Sequence, residues 1–367
     1  MKFDAAILRD DTDRMAIEAV ELANLRDEEV LVRVVACGIC HSDIAIRDGK
    51  YPCERPLILG HEGSGIVERV GSAVTKVKAG DKVVLSFTFC GHCPSCDDNQ
   101  PAYCHEFGPL NTSGRRADGS SALTLNGEPV GGHFFGQSSF SRYSVANVRN
   151  VVKVRADAPL EMLGPFGCGI QTGAGAVLNS LSAKPGDKIA IFGGGGVGLS
   201  AVMAAKLAGC SQILLSEPNA ERRTLGLELG ATDVIDPLST PDLTAKLMEI
   251  SNGGFDIIFD TSGIPAVVND GFVALAPRGR LGIVAFKELD SAAIINLVST
   301  ISLGRSLHGI CEGDAIPDEF IPFLVDRFME GEFPADRLMK FYDFKDLNQA
   351  LDDQDHGIVV KPVIRMS

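Results

Sequence analysis

The chain has no run of about 18 uninterrupted apolar residues, the least a helical membrane span requires, so no membrane partner is expected. It has no basic surplus either. Lys and Arg number 34 against 48 Asp and Glu, a net charge of -14, which is the wrong sign for a binder of phosphate backbones, and no nucleic-acid partner is expected. The opening Met1-Lys2-Phe3-Asp4 brings in an acid early and shows no secretory signal, so a cytoplasmic location is expected. Internal repeats and low-complexity linkers are missing. The 40 glycines follow no short period, so they mark tight turns and close backbone approaches rather than collagen or linker. Cysteine, by contrast, is plentiful, with ten in 367 residues. A disulfide framework normally belongs to a short secreted chain, so metal ligation is the reading that the spacing must test.

The length favours two domains. Residues 1–165 read as short β runs broken by Gly, Pro and Asp, such as Val30–Val35, Gly65–Val70 and Lys82–Leu85. They show no strand–helix alternation, which suggests a largely antiparallel, barrel-like domain. Near residue 185 the rhythm changes. Strand-like runs at Lys188–Phe192, Gln212–Ser216, Asp233–Ile235, Phe255–Phe259 and Arg280–Val284 alternate with helical stretches at 197–208, 219–229, 241–250 and 265–275. This predicts a parallel, doubly wound α/β sheet. Helical pattern returns at Asp318–Met329 and Phe344–Leu351, and Ile358–Ile364 reads as a strand returning to the first domain.

Cys90, Cys93, Cys96 and Cys104 form C-x2-C-x2-C-x7-C. Two-residue spacers let thiolates converge on one ion, and four sulfurs around Zn²⁺ make a closed structural site. The spacing alone also admits redox thiols or an iron–sulfur cluster; the wider sequence argues against both.

A second, dispersed set consists of Cys40, His61 and Cys168, each in a glycine-rich setting. Two thiolates and one imidazole leave a tetrahedral position open for water or alcohol, the pattern of a catalytic zinc. Such an ion is a Lewis acid that stabilises an alkoxide near neutral pH and polarises a carbonyl for hydride attack. Ser42 is placed to relay the alcohol proton, Asp43 to hold the distal nitrogen of His61, and Glu62 to approach the metal transiently. For Ser42 and Asp43, local turn capping is the competing reading.

Gly193-Gly194-Gly195-Gly196-Val197-Gly198 follows a strand and opens a helix. Gly193, Gly195 and Gly198 satisfy G-x-G-x-x-G, so this turn is expected to cradle a dinucleotide pyrophosphate, with Gly196 and Val197 at the helix start. Glu217, at the end of the next strand, is expected to accept from the adenosine ribose and to repel a 2′-phosphate, favouring NAD. Arg222 and Arg223 weaken that preference.

The segments GICHSD, GHEGSGIVERVGSAV, CGHCPSC…C, GCGIQTGAG and FGGGGVGLS together resemble the zinc-containing medium-chain alcohol dehydrogenases over nearly the whole chain. The resemblance implies a GroES-like, β-rich catalytic domain holding both zinc sites, at 1–169 and 310–367. It also implies an inserted NAD-binding Rossmann domain at 170–309, a cleft between the two, and two Zn²⁺ ions per chain with NAD. His41 and Lys361 match positions that contact the pyrophosphate in relatives, and Thr172 and Val197 match positions near the nicotinamide. Ser42, Tyr103, Phe134, Phe135 and Phe286 match pocket positions, and aromatic walls suit a flat ring. GPFGCGIQTGAGAVLN and FFGQSSF are most similar to the aryl or benzyl alcohol dehydrogenase branch. One position departs from the pattern. Many relatives end the proton relay on a histidine where this chain has Ala45, which leaves the relay beyond Ser42 open. The long segment from His105 to Gly136 resembles dimeric relatives, so a homodimer is favoured over a tetramer.

The expected activity is NAD-linked oxidation of a primary aromatic or allylic alcohol to its aldehyde. A thiol-adduct formaldehyde dehydrogenase of the same superfamily is the second enzyme reading. A zinc-stabilised binding protein without catalysis is a third, and retention of both cysteine sets and the full glycine loop speaks against it.

Overall fold

The computed structural model describes residues 1–10 and 12–366. The chain divides into two compact units. Unit 1 comprises Met1–Gly169, Ile316–Glu330 and the stretch from Asp336 onward; unit 2 comprises Ile170–Ala315 and Gly331–Ala335. The second crossing thus falls at 315/316 rather than at 309/310. The reason lies in residues 310–315. The backbone of Gly313 packs so closely on Gly175 that a Cβ there would stand 2.3 Å from the Gly313 carbonyl oxygen. Glu312 also accepts from Gln171 and Thr172.

In unit 1 the valine-rich runs pair antiparallel. A seven-stranded sheet runs Val151–Lys153, Lys82–Leu85, Glu62–Val70, Glu29–Gly38, Lys361–Arg365, Met339–Asp343, with Tyr143–Asn147 also paired to Glu29–Gly38. Only the last two strands of that path run parallel to each other. A second sheet of five strands is built on Lys2–Leu8 and Ala16–Leu22. Alternate residues Val30, Val32, Val83 and Leu85 meet Val67, Ala146 and Val151 in one buried cluster, as one face of a strand repeats every second residue; Leu31 and Val84, between them, are buried too. The strand expected over 358–364 begins at Lys361, and the helix expected from Phe344 begins at Leu347 after a 3-10 turn.

Unit 2 holds six parallel strands in the order Asp233–Ile235, Gln212–Ser216, Lys188–Phe192, Phe255–Asp260, Leu275–Ile283, Ser306–Gly309. Counted along the chain this is 3-2-1-4-5-6, the order of a doubly wound dinucleotide fold. Ala190, Phe192, Leu214, Phe255, Ile258 and Leu281 fill its core. Helix Gly196–Leu207 follows the first strand, and helix Ala220–Leu229 is capped by Asn219, whose side chain accepts from the amides of Glu221 and Arg222. Among the described residues, no helix is long and apolar enough to cross a membrane.

Candidate zinc and dinucleotide sites

Strand register assembles the first site. Glu29–Gly38 and Glu62–Val70 pair with Gly38 opposite Glu62. The residues just beyond these facing ends, Cys40 and His61, are therefore brought together. Cys168 arrives on the turn Gly164–Gly167, which lies flat on the sheet. A Cβ at Gly164 would stand 2.2 Å from the Glu62 carbonyl oxygen, and one at Gly167 2.0 Å from that of Leu85, so only glycine permits the approach.

The ligand atoms of Cys40, His61 and Cys168 all lie within 4.8 Å of one another, and the two sulfurs are 4.0 Å apart. Tetrahedral zinc with bonds of about 2.3 Å spaces its sulfurs by about 3.8 Å. His61 is fully buried, and its Nε2 has no hydrogen-bond partner. A buried ring nitrogen left without a partner is costly, and a metal ion bound by the two thiolates removes that cost. The residues present fit a zinc ion.

Asp43, also fully buried, orients the set. Its Oδ1 lies 3.2 Å from His61 Nδ1 and accepts from the Gly60 amide, while Oδ2 accepts from the Cys40 amide. The Cys40 thiol is held well below its ordinary pKa, first by a hydrogen bond from Cys168. Ser42 Oγ lies 4.0 Å from Cys40 Sγ. Phe135 stacks on the His61 ring at 4.3 Å between centroids, and Phe134 meets it edge-on at 5.2 Å.

Gln137, which the sequence reading passed over within FFGQSSF, clamps the His61 backbone. It is fully buried, donates to the carbonyls of His61 and Ser86, and accepts from the Gly63 amide. A polar residue between aromatic flanks was the available signal.

Lys361, expected at the cofactor pyrophosphate, is 3% exposed and held within unit 1. Its ammonium donates to both Glu62 oxygens and to the Ile39 carbonyl. Burial alone would lower its pKa, but the Glu62 charge outweighs that and raises it. A buried ammonium needs a partner charge, and Glu62 supplies it. Glu62, expected to approach the metal, is therefore anchored by Lys361 and by the Gly169 amide. The pocket candidates differ in burial. Ser42, Phe134 and Phe135 gather at Cys40 and His61, whereas Tyr103 in unit 1 and Phe286 in unit 2 are exposed. His41 is exposed at the start of helix His41–Arg47, and Ala45 is buried within it.

The loop cysteines form the second cage. Cys90, Cys93, Cys96 and Cys104 bring their sulfurs within 4.8 Å of one another, with Cys93 and Cys96 3.5 Å apart. Backbone amides serve the sulfurs: Cys90 and Glu106 donate to Cys104, and His105 donates to Cys93. The His105 amide leads in pushing Cys93 down to about 6, while burial pushes Cys96 up to about 12. Four converging sulfurs fit a closed zinc site.

In unit 2 the turn between Lys188–Phe192 and Gly196–Leu207 explains each glycine differently. Gly193 sits at φ +96°, and a Cβ on Gly198 would stand 1.8 Å from the Gly193 carbonyl oxygen. Gly195 has φ −75°, and a Cβ there would meet nothing within 4 Å. The protein's own packing therefore does not demand glycine at 195, and the space beside it is open. Glu217 is 4% exposed, and its oxygens accept from the amides of Gly194 and Asn219. Arg223 donates to the carbonyls of Glu217 and Pro218, so its guanidinium is occupied; Arg222 is half-buried nearby on the same helix. Thr172 is buried, bonded to Glu312, and Val197 is half-buried in the first turn of its helix.

Residues 26–156 match the alcohol dehydrogenase GroES-like domain and residues 196–329 the zinc-binding dehydrogenase domain. The chain is 46% identical over 361 residues to the geraniol dehydrogenase of Castellaniella defragrans, covering 98% of this chain and 96% of that protein. The crystal structure of benzyl alcohol dehydrogenase from Acinetobacter calcoaceticus is 41% identical, with a TM-score of 0.96 over the whole of both chains. An alcohol dehydrogenase zinc-binding domain protein from Burkholderia ambifaria is 46% identical with a TM-score of 0.98, covering 100% of this chain and 99% of that one. With its cysteine sets, glycine turn and 3-2-1-4-5-6 sheet, the chain belongs to the zinc-containing medium-chain alcohol dehydrogenase family.

Proposed function

We propose that this enzyme oxidises primary aromatic or allylic alcohols to aldehydes with NAD, reversibly. The observation on which this rests is the unpartnered Nε2 of His61, facing two cysteine sulfurs beneath an aromatic wall. Cys40, His61 and Cys168 would hold a zinc ion, and when bound it supplies Lewis acidity to an alcohol or carbonyl oxygen. Asp43 keeps the His61 proton on Nδ1, leaving Nε2 as a donor of its lone pair. Ser42 takes the alcohol proton at Oγ, and with Ala45 offering no further base, water receives it next. NAD, when bound, would supply the acceptor for the hydride leaving the carbinol carbon, which would turn the alcohol into the aldehyde. Phe134 and Phe135 keep water from the His61 ring and favour a substrate with a π system next to the carbinol. The two named relatives point the same way, one to geraniol and one to benzyl alcohol.

Glu217 supports NAD over NADP, because a carboxylate held by two backbone amides is a poor neighbour for a 2′-phosphate. The family places the enzyme with small alcohols as substrates, and we propose Cys90, Cys93, Cys96 and Cys104 as holders of a second, structural zinc ion. We further propose a homodimer acting in the cytoplasm. In unit 2, Ile294, Leu297, Val298 and Ile301 are all more than 70% exposed, in the segment that leads into the edge strand Ser306–Gly309. An apolar surface of that kind at an open sheet edge suits a second copy.

Steady-state rates with benzyl alcohol, geraniol and ethanol, each with NAD and NADP, test the proposal. A preference of kcat/KM for the first two alcohols and for NAD is expected. Equal use of ethanol would refute the substrate class.

A further inference from the structure

Beside the four-cysteine cage, a further trio of ligand types converges. The Cys90 sulfur, the His92 imidazole and the Glu106 carboxylate offer ligand atoms within 4.8 Å of one another. All three residues line one cavity of about 670 Å³ in unit 1. Cys90 is buried, whereas the side chains of His92 and Glu106 are 73% and 51% exposed. The trio therefore has one fixed ligand at the wall of the cavity and two at its mouth.

The imidazole is oriented for coordination. His92 Nδ1 lies 3.0 Å from the Cys90 carbonyl oxygen. That oxygen can only accept, so the proton sits on Nδ1 and the Nε2 lone pair is left available, the arrangement typical of a metal-ligating histidine. Nε2 is 3.9 Å from a Glu106 carboxylate oxygen. This is too long for a hydrogen bond. It fits two ligands that each stand about 2.1 Å from a shared ion. The His92 amide, 3.5 Å from the Cys90 sulfur, ties the two residues further.

We infer that Cys90, His92 and Glu106 form an additional, solvent-open site for a divalent cation of the zinc type, sharing the Cys90 thiolate with the four-cysteine cage. A thiolate has more than one lone pair and can bridge two cations. One sulfur, one nitrogen and one oxygen suit a borderline ion such as Zn²⁺ or Co²⁺ rather than Mg²⁺ or Ca²⁺. With two exposed ligands to order, the site binds more weakly than either cysteine cage and leaves room for water. It goes beyond the proposed chemistry and needs no substrate.

The test uses the purified holoenzyme, first dialysed against a mild chelator. Zn²⁺ is added in calorimetric titration, and bound metal is counted after equilibrium dialysis. His92→Ala, Glu106→Gln and the double variant run alongside. A third zinc per chain is expected in the wild type, removable without loss of turnover. Either single change should weaken it by about tenfold or more, the least expected when even a residue supporting a ligand is removed, and the double variant should lose it. With Co²⁺ in the third position, a sulfur-to-metal charge-transfer band should appear and vanish in the double variant. No third ion in the wild type, an undiminished one in the double variant, or a cobalt spectrum without sulfur character each overturns the inference. A double variant purified with one zinc fewer would put these side chains in the cage itself and overturn it too. A wild type with fewer than two tightly held zinc ions would instead undermine the proposed function.

Discussion

Lys361 and Glu62 form an ion pair sealed inside unit 1, the ammonium 2.8 and 3.0 Å from the two carboxylate oxygens, with side-chain exposures of 4% and 0%. It joins the first residues of strands Lys361–Arg365 and Glu62–Val70, which flank Glu29–Gly38 on either side. Gly38 is the residue that lets the carboxylate in, since a Cβ there would stand 2.1 Å from Glu62 Oε2.

Lys361→Met should destabilise the enzyme by about 3–5 kcal/mol, because it leaves a buried carboxylate without its counter-charge. Removing both charges with Glu62→Gln and Lys361→Met should restore part of that loss. Denaturant unfolding of the single and double variants measures it. If Lys361 also serves a cofactor phosphate, the single variant should raise the KM for NAD as well; unchanged unfolding would show that the pair contributes nothing to the fold.

Asp43→Asn keeps the size but removes the charge that faces His61 Nδ1 and the amides of Gly60 and Cys40. Loss of such a supporting carboxylate should weaken metal retention by about 10–100-fold. Competition with a chelator, followed by the fall in turnover, reads it out. Unchanged zinc retention would mean that Asp43 only caps its helix.

The two cysteine sets should respond differently to loss of one member. Cys40→Ala should abolish turnover and cost only about 1–3 kcal/mol of stability, the penalty of leaving the buried His61 Nε2 without a partner. Cys93→Ala should cost about 4 kcal/mol or more of stability, the range reserved for lost metals and comparable defects. Zinc counts should fall by one in each. Wild-type turnover in the first, or wild-type melting in the second, contradicts the assignment.

Much of this was legible in the sequence for identifiable reasons. Cys90 to Cys104 sit within one short loop, so spacing alone brought them together. Gly193 to Gly198 lie on one turn, so strand, turn and helix could be read in order. Cys40, His61 and Cys168 were found only as a set, and it took the pairing of Gly38 with Glu62 to make them neighbours. The ion pair of Lys361 with Glu62 was missed for the same physical reason. The two residues are 299 apart in the chain, and nothing local shows that strand Lys361–Arg365 inserts beside Glu29–Gly38. Gln137 and the boundary at residue 315 likewise depend on long-range contacts that no periodicity reveals.

Glu217→Ala should relax the choice between cofactors. Both carboxylate oxygens are held at the end of strand Gln212–Ser216 by the amides of Gly194 and Asn219. Losing the ribose acceptor should raise the KM for NAD by about tenfold, or 1.4 kcal/mol, and removing the negative charge should improve NADP. The ratio of kcat/KM for the two cofactors is the measurement. A ratio that does not move would place ribose recognition elsewhere.

Acid sensitivity should trace in part to His133. It is 5% exposed, and its Nε2 accepts from the Ala122 amide at 3.1 Å. Burial pushes its pKa down to about 4 from an ordinary 6.5, with Glu29 opposing and Arg116 reinforcing the shift. Above pH 6.5 both folded and unfolded chains hold the ring neutral, so stability is unaffected. Between 6.5 and 4 the unfolded chain binds a proton that the folded chain refuses, and stability falls as pH falls by about 1.4 kcal/mol per unit. The total is about 3 kcal/mol, and the slope ends below pH 4. His133→Gln keeps an acceptor for the Ala122 amide but does not titrate. Unfolding free energies at pH 7, 6 and 5 should therefore fall less steeply in the variant. Parallel curves for the two proteins would show that His133 protonates freely in the fold and contributes nothing to the acid limb.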